Sequence, residues 1–360
     1  MIHTLEQTET TVFSAPAYDN HENVVFCRDE ETGLKAIIGV HSTVLGPALG
    51  GLRIWNYATE AEALNDVLRL SRGMTFKNSI SGLDLGGGKA VIIGDARTVK
   101  TEKLLKRFGE YVNRLNGSYI TAEDVGATTR DIEIISRQTK HVAGLPESMG
   151  GGGDPSPFTA YGVLLGMKAA AKRAFGTDEL RGKTIAVQGC GNVGRHLIEL
   201  LAKEGAKLYI SDWAEEKAYE AAAAHKAIVV GLDDIYDVDA DIYAPCALGA
   251  TLNDRTIPRL KCAVVAGSAN NQLADEQIHG EMLRERGIIY APDFLINAGG
   301  VINVYQETQG YNREASFARI EKIYSTTAAL LELSYKEDIT PQEAALRMAR
   351  KRIADKKAGL

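Results

Sequence analysis

KTIAVQGCGNVG, residues 183–194, is the stretch of this chain that decides its fold. The apolar run at 185–187 has the pattern of a buried strand, and three glycines follow it at GxGxxG spacing: Gly189, Gly191 and Gly194. The first glycine permits a tight turn, the second lets the backbone approach a pyrophosphate, and the third lets the next helix pack closely on the sheet. The stretch therefore predicts a dinucleotide-binding turn.

The residues that follow support this prediction. A helical pattern covers 196–201, a second strand pattern covers 207–210, and Asp212 lies about 20 residues past the glycines, where a carboxylate accepts hydrogen bonds from the adenosine ribose. Such a carboxylate repels the extra phosphate of NADP, and residues 213–216 contain no arginine to bind it. The predicted cofactor is NAD. The alternative is a strand–turn–helix that binds nothing.

Composition excludes several classes of protein. The chain has 360 residues, enough for two domains, and is 45% hydrophobic and 24% charged with a net charge of −6. We expect no nucleic-acid partner because the sequence has no dense basic stripe. The N-terminus lacks the composition of a signal peptide and no apolar run approaches 18 residues, so we expect a cytoplasmic protein without a membrane span. Scattered cysteines and histidines predict no metal site and no disulfide framework.

Strand and helix patterns alternate along the chain, which predicts an α/β fold with two domains. Each domain is expected to contain a helix-covered, mostly parallel sheet, and the second is expected to be a Rossmann dinucleotide-binding fold. The predicted strands are 24–27, 34–40, 90–93, 119–120, 185–187, 207–210, 241–244, 263–266 and 287–290. The predicted helices are 59–72, 101–115, 128–137, 159–174, 196–201, 313–335 and 341–356.

Four consecutive glycines at 150–153 interrupt this alternation, and two prolines follow at 155 and 157. Glycines are costly to hold in regular structure, and prolines fix the chain direction, so this segment has the composition of a hinge between domains. An ordinary flexible loop is the alternative. We favour the hinge because the dinucleotide-binding unit begins just after it, with a cleft expected between the two domains.

Three segments before the hinge combine glycine, lysine and carboxylate: GMTFKN at 73–78, LGGGKA at 85–90 and ITAEDVG at 120–126. Lys89 adjoins a glycine loop, and desolvation in a cleft would lower its pKa by roughly 2–3 units from about 10.4, making it a base. Lys77 can stay charged and hold a substrate carboxylate. Asp124 follows a strand, a common position for a catalytic carboxylate. The alternatives are that Lys89 is a solvated loop charge and that Asp124 caps the next helix.

Longer motifs extend from about Phe26 to the C-terminus. They are LGPALGGLRIW at 45–55, RGMTFKN at 72–78, GLDLGGGKAVI at 82–92, YITAEDVG at 119–126, GNVG at 191–194, APCALGA at 244–250, AGSANNQL at 266–273 and APDFLINAGGVINV at 291–304. Together they resemble the superfamily of glutamate, leucine, phenylalanine and valine dehydrogenases, and within it most closely the leucine dehydrogenases.

This resemblance implies NAD-dependent, reversible oxidative deamination of an L-amino acid to a 2-oxo acid and ammonium. It makes Lys89 the base that activates water, Asp124 the group that moves protons at the amino nitrogen, and Lys77 the partner of the substrate carboxylate. The other substrate-binding residues it implies are Leu49, Gly50, Gly51, Met74, Ala122, Asn271, Val301 and Val304. The cofactor-binding residues are Gly189, Cys190, Gly191, Asn192, Val193, Gly194, Arg195, Asp212, Ala247, Asn270 and Asn297.

The resemblance also indicates which substrate side chain the pocket accepts. Glutamate dehydrogenases carry a lysine where this chain has Leu49, so a second substrate carboxylate would be buried without a partner. Ala122, Val301 and Val304 are expected to narrow the pocket to branched aliphatic side chains. A pocket separates two substrates whose side chains differ by about one methylene by only about 1–3 kcal/mol, so leucine, isoleucine and valine are all expected substrates. A phenylalanine dehydrogenase and a non-catalytic nucleotide sensor are the alternatives.

The resemblance also implies domain limits and assembly. Residues 1–148, joined by a C-terminal helix at about 332–360, would form the substrate-binding and oligomerisation domain, and 149–331 the NAD-binding domain. A homo-oligomer, with an octamer favoured, is expected. Two departures stand out: the hinge reads GGGGDPSP where leucine dehydrogenases usually have a serine-containing version that bears an asparagine, and the N-terminal arm is longer than is typical.

Overall fold

The computed structural model describes residues 11–359, which form two compact units. Unit 1 comprises the described residues through Ser79, then Leu83–Gly151, and the chain from Lys356 onward. Unit 2 comprises Ile80–Gly82 and Gly152–Asp355. Part of the predicted N-terminal arm lies outside the described residues.

Within the described part of the chain, unit 1 contains five strands and four helices. The strands are β1 Asn23–Asp29, β2 Leu34–Ser42, β3 Ala48–Trp55, β4 Gly86–Ile93 and β5 Tyr119–Glu123. The helices are α1 Glu60–Ile80, α2 Ala96–Val99, α3 Glu102–Arg114 and α4 Thr129–Ser136. Short 3₁₀ helices cover Val12–Ser14 and Glu147–Met149.

The sheet of unit 1 has the strand order β1-β2-β4-β3-β5. β2 is antiparallel to both of its neighbours, whereas β3 is parallel to β4 and β5, so only β2 runs against the other four strands. β1 and β2 are consecutive, and a short turn joins antiparallel strands without a crossover helix.

Successive side chains along these strands point to opposite faces of the sheet, so the strands contribute to two hydrophobic cores. On one face, Ile37 and Val91 pack with the buried residues of α1. On the other face, Ile38, Ala90 and Ile92 pack with the apolar faces of α3 and α4. Helices therefore cover both faces of the sheet.

Unit 2 contains six strands and nine helices among the described residues. The strands are β6 Thr184–Gln188, β7 Lys207–Ser211, β8 Ile228–Val229, β9 Ile242–Pro245, β10 Val264–Val265 and β11 Ile289–Tyr290. The helices are α5 Ser156–Phe175, α6 Asn192–Lys203, α7 Glu215–His225, α8 Ile278–Glu285, α9 Asp293–Ile296, α10 Gly299–Glu307, α11 Arg313–Ile320, α12 Lys322–Glu337 and α13 Pro341–Lys357. Two 3₁₀ helices cover Asp234–Asp237 and Ile257–Arg259.

All pairings in the second sheet are parallel, with the order β11-β10-β9-β6-β7-β8. Numbered within the unit, this is the 3-2-1-4-5-6 order of a Rossmann fold, in which β6 and β9 flank the point where the order reverses. Dinucleotides bind at the carboxyl ends of the strands at that point. The predicted fold class is confirmed.

Two details of unit 1 differ from the sequence analysis. β3, which the sequence analysis did not predict, lies inside the sheet between β4 and β5. β4 begins at Gly86, so Lys89 lies within a strand and not at the edge of a glycine loop. Glycine has a low strand propensity, but here it lets neighbouring chains approach: a Cβ on Gly50 would lie 1.7 Å from the carbonyl oxygen of Gly88.

In unit 2, the helix predicted over 313–335 is divided at Glu321 into α11 and α12. Residues 332–355, which the resemblance attached to the first domain, lie in unit 2. Arg347 of α13 forms an ion pair of 2.7 Å with Glu337 of α12, within that unit. Among the described helices, none is long and apolar enough to cross a membrane.

The predicted hinge coincides with the division between the units, which falls between Gly151 and Gly152. Gly151 N–H donates to the carbonyl of Pro146, and a Cβ on Gly151 would lie 1.8 Å from the carbonyl oxygen of Leu145, so this residue is held by unit 1. Gly152 N–H donates to Glu307 Oε1 at 2.8 Å, within unit 2.

Candidate active site

Lys89 and Asp124 form an ion pair in unit 1, with 2.9 Å between Lys89 Nζ and Asp124 Oδ2. The side chain of Lys89 is 8% exposed and that of Asp124 is 24% exposed. The two residues come from different strands, since Lys89 lies in β4 and Asp124 directly follows β5. The sequence analysis singled out both residues, and the structure brings them together.

The alternation of β4 decides where Lys89 points. A Cβ on Gly87 would meet Thr75 of α1, and Val91 packs in the core beneath α1. A Cβ on Gly88 would meet the ring of Tyr119, on the opposite face of the sheet. Lys89 shares the face of Gly87 and Val91, so its side chain extends along the face that α1 covers.

Burial governs the charge of this pair. Burial lowers the pKa of Lys89, because desolvation penalises the ammonium, and the attraction of Asp124 only partly offsets this effect. Burial also raises the pKa of the Asp124 carboxyl, but the positive charges of Lys89 and Arg53 outweigh it and hold that pKa below its usual range. At neutral pH the site therefore combines an ionised carboxylate with an amine that gives up its proton more readily than an ordinary lysine.

The alternative roles considered for Lys89 and Asp124, a solvated loop charge and a helix cap, do not fit this geometry. Lys89 is buried and therefore is not a solvated loop charge. The cap of α4 is Thr128, whose side chain forms a capping box with Asp131, so Asp124 does not cap that helix.

Arg53 is a residue of the site that the sequence analysis did not identify. Its Nε donates to Asp124 Oδ2 at 3.0 Å and its Nη1 donates to Asp66 Oδ2 at 2.9 Å. Arg53 lies in the motif LGPALGGLRIW, which marked this segment as part of the resemblance. Nothing in the local spacing, however, indicates that Arg53 contacts Asp124, 71 residues further along the chain.

The other predicted substrate-side residues of unit 1 lie on α1, β3 and β5. Lys77 occupies the last turn of α1 and is half-buried, as is Met74. Leu49 is 2% exposed and pairs in register with Gly87 and Ile120. Gly51 pairs with Ala122, which is also buried.

Gly50 and Gly51 lie where β3 is most crowded. A Cβ on Gly51 would lie 2.5 Å from the carbonyl oxygen of Glu123 and 2.8 Å from Cβ of Asp124. A Cβ on Gly50 would also lie 3.2 Å from Cγ of Met74. A side chain at either position would displace neighbouring groups of the site.

In unit 2 the glycine turn joins β6 to α6. Gly189 has φ of +109°, which favours glycine, and a Cβ there would lie 2.9 Å from the backbone nitrogen of Ala247. A Cβ on Gly194 would lie 2.0 Å from the carbonyl oxygen of Gly189, so the helix packs against the turn itself. A Cβ on Gly191 would meet nothing within 4 Å, which leaves the backbone open to a ligand at the start of α6.

Asp212 follows β7 and is fixed by two backbone groups. Its Oδ2 accepts from Cys190 N–H at 2.6 Å, and its Oδ1 accepts from Ala214 N–H at 2.8 Å. Because Cys190 lies inside the glycine turn, this hydrogen bond holds the Asp212 carboxylate next to that turn.

A cavity of about 210 Å³ adjoins the same turn. Its lining includes four predicted cofactor residues, Cys190, Gly191, Asn192 and Arg195. Lys217, also in the lining, was not predicted, because the sequence analysis examined only the four residues after Asp212.

The remaining predicted residues of unit 2 lie on the loop after β10 and on nearby helices. Asn297 Nδ2 donates to Asn270 Oδ1 at 2.8 Å and to the carbonyl of Ser268 at 3.1 Å. Asn271 is exposed and has φ of +52°. Val301 and Val304, three residues apart on α10, share one face of that helix and are half-buried.

The same loop is anchored by two residues that the sequence analysis did not single out. Gln272 N–H donates to Asp293 Oδ2 at 2.9 Å, and Gln272 Nε2 donates to the carbonyls of Gly267 and Ala269. Both residues are buried. They fix the backbone that presents Asn270 and Asn271.

The chain contains a Rossmann unit and an α/β unit that holds a buried lysine–carboxylate pair, a combination typical of two-domain dehydrogenases. The family model described as Glu/Leu/Phe/Val dehydrogenase, dimerisation domain, matches residues 21–141. The model described as Glutamate/Leucine/Phenylalanine/Valine dehydrogenase matches residues 150–214 and 210–359. The chain belongs to this family of amino acid dehydrogenases.

Individual relatives cover nearly the whole chain. Leucine dehydrogenase of Bacillus cereus is 56% identical over 340 residues, which is 94% of this chain and 92% of the relative. Valine dehydrogenase of Streptomyces virginiae is 46% identical, covering 93% of this chain and 94% of the relative. The crystal structure of L-tryptophan dehydrogenase from Nostoc punctiforme matches with a TM-score of 0.84 at 45% identity, covering 94% of this chain and 97% of that one.

Proposed function

We propose that the protein catalyses the NAD-dependent, reversible oxidative deamination of L-leucine and other branched-chain L-amino acids. Amino acid, NAD and water give a 2-oxo acid, ammonium, NADH and a proton. The observation that carries the proposal is the buried Lys89–Asp124 pair, 2.9 Å apart, in a chain 54–56% identical to several leucine dehydrogenases.

The residues of unit 1 would act on the amino acid. Lys77 would pair with the substrate carboxylate. Asp124 would take a proton from the substrate ammonium, and Lys89, in its neutral form, would take a proton from the water that attacks the iminium carbon. The lowered pKa of Lys89 supports this role, because an amine must be unprotonated to act as a base.

Unit 2 would hold the cofactor, which accepts the hydride from the α-carbon of the substrate. The open backbone at Gly191 fits a pyrophosphate at the start of α6, and Asp212 fits the ribose hydroxyls. We propose NAD over NADP because the Asp212 carboxylate would repel a 2′-phosphate. Lys217 lines the cavity that adjoins the glycine turn, and its positive charge would attract a 2′-phosphate. The first assay therefore compares NAD with NADP.

Leu49 supports the proposed substrate class. It is buried and apolar, so a distal carboxylate beside it would lose its hydration without gaining a partner. Ala122, Val301 and Val304 add small aliphatic surface in their own units. No described contact favours phenylalanine over branched aliphatic substrates.

Assembly and location are also proposals. The match to a dimerisation domain over residues 21–141 supports a homo-oligomer, and the octamer comes from the resemblance in the sequence. A cytoplasmic location stays a prediction.

The direct test is NADH absorbance at 340 nm across a panel of L-amino acids, each with NAD and with NADP. We expect turnover with leucine, isoleucine and valine and NAD, and kcat/KM at least tenfold lower with glutamate, phenylalanine or NADP. A preference for phenylalanine or glutamate would contradict the proposal, and light scattering of the same sample gives the oligomer.

A further inference from the structure

Arg53 lies between two carboxylates in unit 1. Its Nε donates to Asp124 Oδ2 at 3.0 Å, and its Nη1 donates to Asp66 Oδ2 at 2.9 Å. The three side chains are only 15–24% exposed, with Arg53 at 22%. A guanidinium presents its donors in a rigid plane, so two anchored carboxylates leave it a single orientation.

Asp66 is itself held in place. Tyr57 Oη donates to its Oδ2 at 2.7 Å, and Arg69 Nη2 donates to its Oδ1 at 3.0 Å. Asp66 and Arg69 lie on α1, whereas Arg53 lies on β3. The network therefore ties the Asp124 carboxylate, which follows β5, through Arg53 to the helix that covers the sheet.

Lys89 and Arg53 donate to the same oxygen, Asp124 Oδ2. The guanidinium is charged at every accessible pH, so the negative charge of Asp124 is shared between two cations. Arg53 thereby keeps Asp124 ionised and weakens its stabilisation of the Lys89 ammonium. Without Arg53, the whole charge of Asp124 would favour the protonated form of Lys89.

We propose that Arg53 is a positioning residue for the deamination: it fixes the carboxylate of Asp124 and keeps the amine of Lys89 available as a base, without touching the substrate. This inference rests on the proposed function and deepens it. It assigns a role to the Arg53–Asp66–Tyr57 network beyond packing β3 against α1.

The test compares Arg53→Gln with Arg107→Gln. Arg107 is a matched control, because it is also half-buried in unit 1 and also bridges two carboxylates, Asp29 and Glu110, but lies on α3, on the other face of the sheet. We expect Arg53→Gln to lower kcat with leucine by about 10- to 100-fold, as displaced catalytic groups do, with a smaller change in KM. The acidic limb of its pH profile for kcat/KM should move to higher pH, because Lys89 then holds its proton more tightly. Arg107→Gln should leave both unchanged.

Competitive acetylation provides a readout that does not depend on turnover. Acetic anhydride labels neutral amines of the folded holoprotein at a series of pH values, and mass spectrometry of the peptides after digestion measures the label on Lys89, whose pH dependence follows the protonation of that amine. Arg53→Gln should shift that profile to higher pH, and Arg107→Gln should not.

The outcomes separate the two proposals. An active wild-type enzyme with an unmoved pH limb and labelling profile in Arg53→Gln overturns the role of Arg53 and leaves the proposed function intact. Absence of turnover by the wild type on every amino acid overturns the proposed function, while the labelling still decides whether Arg53 sets the protonation of Lys89. If Arg53→Gln does not fold, Arg53→Lys replaces it: one ammonium cannot span both carboxylates, so kcat should fall about 3- to 10-fold, and a wild-type kcat overturns the inference.

Discussion

Lys89 and Asp124 meet across an intervening strand: β3 lies between β4 and β5 in the sheet, yet Lys89 Nζ and Asp124 Oδ2 are 2.9 Å apart. The contact is possible because β3 carries Gly51 at the crossing point. A Cβ on Gly51 would lie 2.8 Å from Cβ of Asp124, so the absent side chain is what leaves room for the pair.

Replacing Gly51 tests that relationship. Gly51→Ala should displace Asp124 and the carbonyl of Glu123, lowering kcat at least tenfold and stability by about 1–3 kcal/mol, the usual cost of overpacking. Gly73→Ala, an added methyl group with no atom within 4 Å, is the stability control. Initial rates and thermal melts measure both effects; full activity in Gly51→Ala would show that the pair tolerates a side chain between its strands.

Lys89→Ala should abolish turnover, because no other group described near Asp124 can act as a neutral base. Binding of NAD should stay nearly unchanged, since the glycine turn belongs to unit 2. Rates by NADH absorbance and affinity by calorimetry separate the two effects. Retained turnover would refute the assigned role of Lys89.

Leu49→Lys should weaken the use of leucine if Leu49 lines the pocket as proposed, because an ammonium would replace buried apolar surface. We expect kcat/KM for leucine to fall at least tenfold, with glutamate used relatively better. Leu49→Met, which conserves volume and polarity, is the control. Unchanged leucine kinetics in Leu49→Lys would mean that Leu49 does not line the substrate pocket.

Gly191→Ala and Gly194→Ala should act differently although both lie in one turn. A Cβ on Gly194 would lie 2.0 Å from the carbonyl oxygen of Gly189, so this variant should lose about 1–3 kcal/mol of stability or more. A Cβ on Gly191 meets no protein atom within 4 Å, so this variant should keep its stability and bind NAD more weakly. Denaturant melts and NAD titrations give the comparison, and equal effects on both properties would argue against a pyrophosphate at Gly191.

His41 should make unit 1 sensitive to acid. Burial lowers its pKa from 6.5 to about 4, with a further contribution from the charge of His21, and its Nδ1 lies 2.8 Å from Thr75 Oγ1. Between these pH values the unfolded chain binds a proton that the folded chain does not, so stability is full above about pH 6.5 and falls toward pH 4 by up to about 3 kcal/mol. His41→Gln should flatten this decline in denaturant melts at a series of pH values. An equally steep decline in the variant would place the acid sensitivity elsewhere.

Local patterns predicted the elements that depend on nearby residues. Thr59 accepts a hydrogen bond from Glu62 N–H at the start of α1, and Thr128 caps α4, so both helices begin within one residue of the predicted starts. β3 was missed because its Gly50–Gly51 pair looks unfavourable for a strand in isolation. The close approach of Gly88, Glu123 and Asp124 makes glycine necessary there, and none of these neighbours is local in sequence.

The sequence by itself determined the glycine turn, the acid that follows it, the alternation of strands and helices, and the family, because each is written in the spacing or identity of consecutive residues. Tertiary structure alone decided that Lys89 is buried inside a strand, that Asp124 reaches it past Gly51, and that Arg53 joins them to Asp66. These contacts join residues brought together by strand order and helix packing. The charge state of the buried lysine follows from that packing, since desolvation and neighbouring charges act through space and not along the chain.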